Sequence, residues 1–578
     1  MGQKLNLGGS PYSAPPFDDD EVYPVRWKCE STIDETPDFN ELPSLEDAHY
    51  LFSTVKFHLG QIFRILDEKA FIAGLESFYH SRSSPGRPDQ PRLWLLQYFL
   101  VLSFGRAFIS QSKVLGEPPG WKYFARAMSL MPDYASLAKD VLKGIDVLVL
   151  TGLYLYSIDH RESAQVFVCQ AIRMAQLEGL HTQLPEEALG IETVTRCRDL
   201  WWTLYVIDRH FSSSLGLPMT VKDEDTTTLL DGPGATLHSD PMLSLQVRLS
   251  RVHSFIVSTI YKSEKTPLGH FLESTRFVLH SLAGHAQEIE KIIHVNLHAS
   301  VQAMSRGTRH ITLLYHQCVI MATRPLLLSV LTELLEKLNQ GREDWKSLLH
   351  LTKTLISTGI KSASKTIQII SEDDNISAFL IFNLEFLFGA AIHLTMANAI
   401  FPDFAESQPF HDRDAADLLF DEMVNKGNKV AKARKAHLGH LELLFDELAR
   451  KVQQQGLQPP ALFGPCRDLR VETGGPDYEN QQQASIPHIR PQQQEIQLRI
   501  ERGLAIGDES ASRTTVAGPS MMPSPIATAH TVSTFPDRLQ SPGNIGFLDN
   551  IGISSDDFFN IVDQMVYPEF TNFDILDP

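Results

Sequence analysis

The chain has 578 residues, 43% hydrophobic and 21% charged, a composition typical of a folded protein with room for more than one region. Its 70 acidic residues exceed its 51 basic residues and give a net charge of −19, which argues against a basic surface for nucleic-acid phosphates. The five cysteines are far apart and form no C-x2-C pair, which argues against a clustered-thiolate zinc site and a secreted disulfide framework.

The first 42 residues are rich in Gly, Pro, Ser and acidic residues, which predicts a disordered segment. They lack the apolar core of a secretory signal. Ser44, with Asp47 three residues later, has the pattern of a helix N-cap and predicts that folding starts at residue 43. Because no strand alternation persists, we expect an all-α region over residues 43–454.

Three further helices are predicted before residue 160, over residues 92–108, 121–131 and 136–157. Asp146 lies in the apolar run of the third. A carboxylate there requires either a helix end or a buried partner, and we favour these structural roles over that of a catalytic acid.

Residues 163–231 then predict a pair of antiparallel helices. Small residues recur on one face of the first helix, which lets another helix approach closely, and Gly179 with Leu180 fits a Schellman stop. The second helix carries an apolar stripe from Cys197 to Leu215, and Gly216 and Pro218 predict its end.

This stretch resembles the middle homology region of fungal transcription factors, also called the fungal-specific transcription factor domain. The resemblance is carried by AIRMAQLEGLH, by RCRDLWW-x4-IDR-x6-GLP and by DED, in that order. A later run, LLYHQCVIMATRPLLL, resembles a further landmark of the family, a helix ending at Arg324 and Pro325. The signature residues are Gly179, Leu180, His181, Arg198, Trp201, Trp202, Asp208, Arg209, Gly216, Pro218 and Asp225, together with the later Arg324 and Pro325.

The resemblance implies a nuclear regulator of RNA polymerase II transcription in a fungus, with DNA and zinc bound by a separate six-cysteine binuclear cluster. The present sequence holds no such cluster, so we expect either a gene model that starts late or a paralogue that acts through partners. We therefore expect no cofactor in this chain, and zinc only if a zinc cluster precedes it.

Several signature residues also have plainer interpretations. Trp201 and Trp202 could line a ligand pocket, but we favour core packing because large aromatic side chains supply much of a helical core. Asp208 lies on the apolar stripe and should be buried, so it needs a cationic or hydrogen-bonding partner. We expect that partner to be Arg173, Arg196 or Arg324, because Arg209 faces another side of the helix.

The acidic loop at residues 223–225 invites a metal-binding interpretation, even that of an all-helical terpene cyclase. Such enzymes present acidic motifs from facing helices, and no convincing second motif is found here. We favour a solvated loop and expect no catalytic, cofactor-binding or metal-binding residues; the protein is predicted not to be an enzyme.

Beyond residue 241, helical patterning is found over residues 245–263, 296–330, 344–371, 375–400, 412–425 and 427–453. Proline should kink or restart the backbone at Pro325. The run 376–401 is long enough to cross a membrane, but it includes Asn383, Glu385 and His393, so we predict a buried helix and no membrane contact.

The basic run KGNKVAKARK at residues 426–435 could be a nuclear import signal or the solvated face of a helix packed through Val430, Ala433 and His437. Residues 455–540 are rich in Gln, Pro, Ser and Thr, a composition that predicts a disordered linker.

Residues 541–578 form a candidate acidic-aromatic activation tail. From residue 545 onward it has seven acidic residues and no Lys or Arg, and acids interleaved with aromatic residues are typical of disordered activation segments. A short helix that forms on binding is predicted, although a helix docked on the protein's own core remains the alternative. The residues predicted to carry activation are Phe558, Phe559, Ile561, Val562, Met565, Phe570 and Phe573.

The sequence therefore predicts a nuclear transcription regulator whose tail contacts the transcription machinery or a co-activator, and which reaches DNA only through a separate module. A small-molecule effector and a second copy of the chain are further candidate partners. The alternatives are a co-regulator that does not bind DNA, a small-molecule sensor and an all-helical enzyme. Facing acidic helices around a cavity would favour the enzyme, and a dry apolar pocket would favour the sensor.

Overall fold

The computed structural model describes residues 22–23, 42–82, 91–109, 117–230, 241–261, 268–299, 305–340, 345–372, 379, 381–401 and 408–454. Within these ranges the regular elements are helices and no strand occurs, which confirms the predicted all-α class. The helices are α1 Leu45–His58, α2 Glu68–Arg82, α3 Arg92–Ile109, α4 Trp121–Ser129, α5 Tyr134–Leu137, α6 Val141–Ser157, α7 Arg161–Leu177, α8 Glu186–Leu189, α9 Ile191–Leu215, α10 Pro241–Thr259, α11 Leu268–Ala299, α12 Arg306–Gln340, α13 Trp345–Ser371, α14 Ile381–Ile400, α15 Gln408–Asn425 and α16 Lys429–Gln454.

The first helix starts as its sequence indicates. The Ser44 hydroxyl accepts a hydrogen bond from the Asp47 amide at 3.1 Å and so satisfies one of the free N–H groups of the first turn. Helix α1 ends at His58. Residues 59–67 form an irregular connection, and α2 begins only at Glu68.

Helix α6 lies at the centre of the N-terminal half. All its residues from Gly144 to Tyr156 are buried, which explains why its sequence is apolar on every face. Its neighbour α7 approaches closely because a Cβ atom at Gly152 would lie 2.9 Å from Val168 and 3.1 Å from the carbonyl oxygen of Ala164. The small-residue face predicted on α7 therefore packs against α6.

The remaining helices extend this core along the chain. Helix α7 packs on α9, α9 on α10 and α10 on α12, while α12, α13 and α14 pack against one another. Helices α15 and α16 cover α14. One hydrophobic core thus continues from α1 to α16.

Two predictions for this part of the chain are wrong. Helix α11 was not predicted, because Gly284 and several His and Ser residues interrupt its apolar pattern. Helix α12 runs through Pro325 instead of ending there. Proline has no N–H to offer the carbonyl four residues earlier, which belongs to Met321. Here the Tyr261 hydroxyl donates to that carbonyl at 2.9 Å and replaces the missing donor.

Two helical segments, Arg92–Ile109 and Arg306–Leu331, are long and apolar enough to cross a membrane by length and composition. Most of each lies inside the protein, with 72% and 78% of the respective windows buried. Both therefore serve as core helices of the fold. The run around Glu385, predicted to be a buried helix, is α14, and most of its described side chains are buried.

Candidate functional site: the signature hairpin

The hairpin formed by α7 and α9, here called the signature hairpin, ends each helix with a left-handed glycine. Gly179 has φ of 74°, and the Leu180 amide donates to the Ala175 carbonyl at 2.9 Å. Gly216 has φ of 65°, and the Leu217 amide donates to the Ser212 carbonyl at 2.8 Å. Both are six-to-one Schellman bonds, and side chains other than glycine are strained at these φ values.

Asp208 forms the polar centre of the hairpin and is fully buried. Its Oδ2 accepts from Nη1 of Arg209 at 2.9 Å and from the backbone amides of Thr220 and Val221 at 3.1 and 3.4 Å. The carboxylate therefore fixes the segment after Gly216 against α9, and its charge is compensated at close range.

Arg209 also connects Asp208 to the acidic turn Asp223–Asp225. Its Nη2 donates to Oδ1 of Asp223 at 2.7 Å, and its guanidinium carbon lies 4.1 Å from the centre of the Tyr205 ring. The Tyr205 hydroxyl donates to the same Asp223 oxygen at 2.6 Å. Asp208, Arg209, Tyr205 and Asp223, here called the hairpin cluster, thus link the turn to α9.

The predicted partner of Asp208 is wrong. Arg196 pairs with Asp146 at 2.6 Å, Arg324 donates to the Gly389 carbonyl at 3.1 Å, and Arg173 is exposed. Neighbouring residues on a helix project about 100° apart, but the long Arg209 side chain lies across the Tyr205 ring and reaches back to Asp208. The loop prediction also needs correction, since Asp223 is held by Arg209 and Tyr205 while Glu224 and Asp225 face solvent.

The other signature residues surround this cluster. Trp201 and Trp202 are buried in the core as predicted, and the His181 ring lies 5.6 Å from that of Trp201. The His181 carbonyl accepts hydrogen bonds from the amides of Thr227 and Thr228 and so fixes residues 227–228 to the loop that follows α7. Arg198 is half-buried with a long 3.9 Å contact to Asp199, and Pro218 is exposed.

Asp146 forms a buried pair, one of the two roles predicted for it. Its carboxylate is 2.6 Å from Nη2 of Arg196 and 3.3 Å from Nε2 of Gln97. Burial raises the pKa of Asp146 to about 7, and the Arg196 guanidinium opposes that rise. Arg196 also donates to the Arg64 carbonyl at 2.9 Å and to that of Ile65, so it ties residues 64–65 to α9.

A second charge in the interior, the half-buried Glu385 of α14, was named in the sequence only as an argument against a membrane span. Its carboxylate accepts from the Tyr156 hydroxyl at 2.7 Å and lies 2.6 Å from Nε2 of His210 and 2.9 Å from Nη2 of Arg161. Burial opposes ionisation, but His210 and Arg161 hold the pKa of Glu385 at about 2. A lone acid in an apolar run was the signal available in the sequence.

The Glu385 cluster joins distant parts of the chain. Arg161 also pairs with Asp159 at 2.7 Å, and Asp159 accepts from Arg434 of α16 at 3.0 Å. Asp159 has φ of 68°, a conformation that aspartate tolerates better than most residues. Helices α6, α7, α9, α14 and α16 therefore meet in one ionic network.

The basic run at residues 426–435 packs mainly as a helix face. Lys435 pairs with Asp421 at 2.6 Å, and Arg434 belongs to the Glu385 cluster. Val430 and Leu438 are buried as its contact face, together with Ala431, whereas Ala433 and His437 are only half-buried. The import signal stays a prediction, as does the activation tail, whose residues lie outside the described part of the chain.

Among the residues that the structure describes, no group of three or more His, Cys, Asp or Glu side chains is placed to hold a metal ion. Cys197 and Cys318 are buried and Cys169 is half-buried, so they pack as small apolar side chains.

Part of this chain is similar to known proteins. Residues 48–231 match the fungal specific transcription factor domain, and this span includes the signature hairpin. Residues 48–231, here called the transcription factor domain, are thus similar to that family. The hairpin cluster and the Asp146–Arg196 pair lie inside the domain, and Glu385 contacts it from α14.

Similar proteins include fungal regulators. An uncharacterized transcriptional regulatory protein of Schizosaccharomyces pombe is 23% identical over 50% of this chain and 37% of its own length. The thiamine repressible genes regulatory protein thi1 of the same yeast is 21% identical over 47% and 35%. Transcription factor FBD3 of Gibberella moniliformis is 23% identical over 57% and 46%. The chain therefore spans less than half the length of these relatives.

Proposed function

We propose that the protein regulates RNA polymerase II transcription in the nucleus of a fungus. The match of residues 48–231 to a fungal transcription factor domain carries this proposal, and the names of the similar proteins support it. None of the residues described above pairs an acid or base with a nucleophile in an open site. The hairpin cluster and the Glu385 cluster serve to hold helices together, so we propose a binding and regulatory role without catalysis.

DNA recognition would then come from a zinc-cluster module outside the present sequence or from a DNA-binding partner. The net charge of −19 favours DNA binding by a separate module, because a surface that binds DNA needs basic side chains to contact the phosphates. A co-regulator that never binds DNA itself is the second form of the same proposal.

Transcriptional output would come from residues 541–578. Phe558, Ile561, Val562 and Met565 follow at helical spacing after a Ser554–Asp557 capping pattern, which suits a short helix that lies in a groove of a co-activator. The acidic residues keep the aromatic side chains apart and available to the partner.

A reporter assay tests this proposal. The full chain is fused to an unrelated DNA-binding domain, and a second fusion carries residues 541–578 alone. Both fusions should activate the reporter. Replacement of Phe558, Ile561 and Met565 by alanine should abolish activation, whereas Asp556→Asn with Asp563→Asn should only weaken it.

Full activity of the triple alanine variant, or silence of both fusions at wild-type protein levels, would show that the tail is not an activator. A tail that activates alone but is silent in the full chain would place restraint in the helical region.

A further inference from the structure

A cavity of about 150 Å³ opens beside the Asp146–Arg196 pair, between α1, the 59–67 connection, α6 and α9. Its walls are mainly apolar and come from both sides of the connection. The apolar lining residues include Phe52, Val55, Leu59, Phe63, Leu66 and Leu150. No function has been assigned to it above, since the hairpin cluster and the Glu385 cluster lie elsewhere in the fold.

Each charged group of the cavity already has a partner within the protein. Lys56 and Glu68 form an ion pair of 2.5 Å at the solvent side, where both side chains are about half exposed. Arg196 is paired with the buried Asp146 at 2.6 Å. Arg64 donates to the Gly60 carbonyl, and Asp199 also lines the cavity. Lys56 and Arg196 are thus engaged by carboxylates and Arg64 by a backbone carbonyl, while Asp199 lies 3.9 Å from Arg198. An ionic ligand would therefore have to compete with an existing partner at each charged group.

The irregular connection that forms one wall is held by contacts that do not involve a ligand. The amides of Ile62 and Phe63 both donate to the Leu59 carbonyl, and the Arg64 amide donates to the Thr203 hydroxyl at 3.1 Å. Arg196 holds the carbonyls of residues 64 and 65. Because α9 supplies both Thr203 and Arg196, the cavity is pre-formed, as ligand sites usually are.

We propose that this cavity is a binding site for a neutral, mainly apolar small molecule of about one aromatic ring, roughly six to nine non-hydrogen atoms. Size sets this class, because an apolar cavity of about 150 Å³ accommodates benzene. The partners already present at the charged groups favour a neutral ligand, since a carboxylate or ammonium group would lose its hydration and would have to displace an existing partner. The site goes beyond the proposed transcriptional role and can exist whether or not the tail activates.

Binding of benzyl alcohol to the purified full chain tests the inference, with benzoate and benzylammonium as charged analogues of similar size. Ligand-observed NMR titration should give saturable binding of the alcohol, at least about tenfold tighter than either ion. Leu66→Trp fills the cavity from the half-buried connection and should weaken binding by about tenfold or more. Leu184→Trp, at a half-buried loop leucine outside the cavity, is the matched control and should bind as wild type.

Circular dichroism melting shows whether each variant is folded. If Leu66→Trp is unfolded, Val55→Ile adds only one methyl group to the wall and should still lower the affinity measurably. Absence of saturable binding to the wild type, or wild-type affinity in a folded cavity-filling variant, overturns the site. Tighter binding of benzoate or benzylammonium than of benzyl alcohol overturns the neutral class of ligand.

Discussion

Asp208 of the signature hairpin and His316 of α12 are both completely buried, but their polar atoms differ in hydrogen bonding. Asp208 accepts hydrogen bonds from Arg209 and from two backbone amides. Neither ring nitrogen of His316 has a hydrogen-bond partner in the described part of the chain, and the same holds for His393 of α14. Burial lowers the pKa of each of these histidines to about 3, so both are neutral at physiological pH.

This difference in hydrogen bonding follows from how each region is held together. In the hairpin, irregular segments must be fixed to helices, and charge-assisted hydrogen bonds to amides and carbonyls do this with defined geometry. Helices α12, α13 and α14 pack on one another by side-chain contact, and a buried histidine there avoids the larger cost of a buried charge by staying neutral, while its unbonded ring nitrogens still cost free energy. Glu385 is the exception in α14, and its partners Tyr156, Arg161 and His210 all come from the transcription factor domain.

The largest expected effect is at Asp208. Its change to alanine should lower the free energy of unfolding by about 3–5 kcal/mol, because Arg209 and two amides lose a buried acceptor. Urea denaturation followed by circular dichroism measures this. Asp225→Ala, in the same acidic turn but exposed, is the matched control and should behave as wild type. Equal stability of the two variants would show that the Asp208 interactions do not stabilise the fold.

The neutral histidines predict steep destabilisation in mild acid. His253, His310, His316 and His393 have pKa values lowered by burial to about 3, below the unfolded value near 6.5. Between these values the unfolded chain binds more protons, so stability is full above about pH 6.5 and falls with falling pH. Each histidine contributes up to about 1.4 kcal/mol per pH unit.

Urea denaturation at several pH values measures this slope. His316→Leu and His393→Leu should each reduce it by about one proton. His80→Leu, at an exposed helix position, is the control. A slope in the core variants that equals that of wild type would mean that these rings titrate in the folded protein as they do in the unfolded chain.

The smallest effect is expected at the proline in α12. Tyr261→Phe removes the donor to the Met321 carbonyl and should cost about 0.5–1 kcal/mol. In a Pro325→Ala background the amide of residue 325 can serve that carbonyl, so the same change should cost less. Tyr50→Phe, at an exposed tyrosine on α1, is the control. Equal costs of Tyr261→Phe in both backgrounds would show that the hydroxyl does not compensate for the proline.

Local features of the fold could be predicted, because they depend on residue type and spacing within a short segment. A left-handed stop at Gly179, a cap at Ser44 and a buried tryptophan pair follow from residue type and spacing within one or two turns. The need for a partner at Asp208 could be predicted as well. Its identity could not, because spacing along a helix does not specify how a long arginine side chain is bent.

Features that depend on contacts between residues far apart in sequence were also missed, because residue spacing does not specify such contacts. The continuation of α12 through Pro325 requires the hydroxyl of Tyr261, which is 64 positions away in sequence by residue number. Glu385 is explained only by Tyr156, Arg161 and His210, which lie far upstream. The cavity beside Arg196 likewise arises where four separate segments meet, and no single stretch of sequence indicates it.

We infer that Glu385 couples the transcription factor domain to the C-terminal helices in one cooperative unit. A double-mutant cycle of Glu385→Gln and Arg161→Gln on the free energy of unfolding tests it most directly, with Lys69→Gln and Glu192→Gln as a matched cycle. Both ion pairs are 2.9 Å long, but Lys69 and Glu192 are exposed. We predict a coupling energy of about 1–3 kcal/mol for the Glu385 pair and none measurable for the surface pair. Coupling at Glu385 no larger than at the surface pair would contradict the claim.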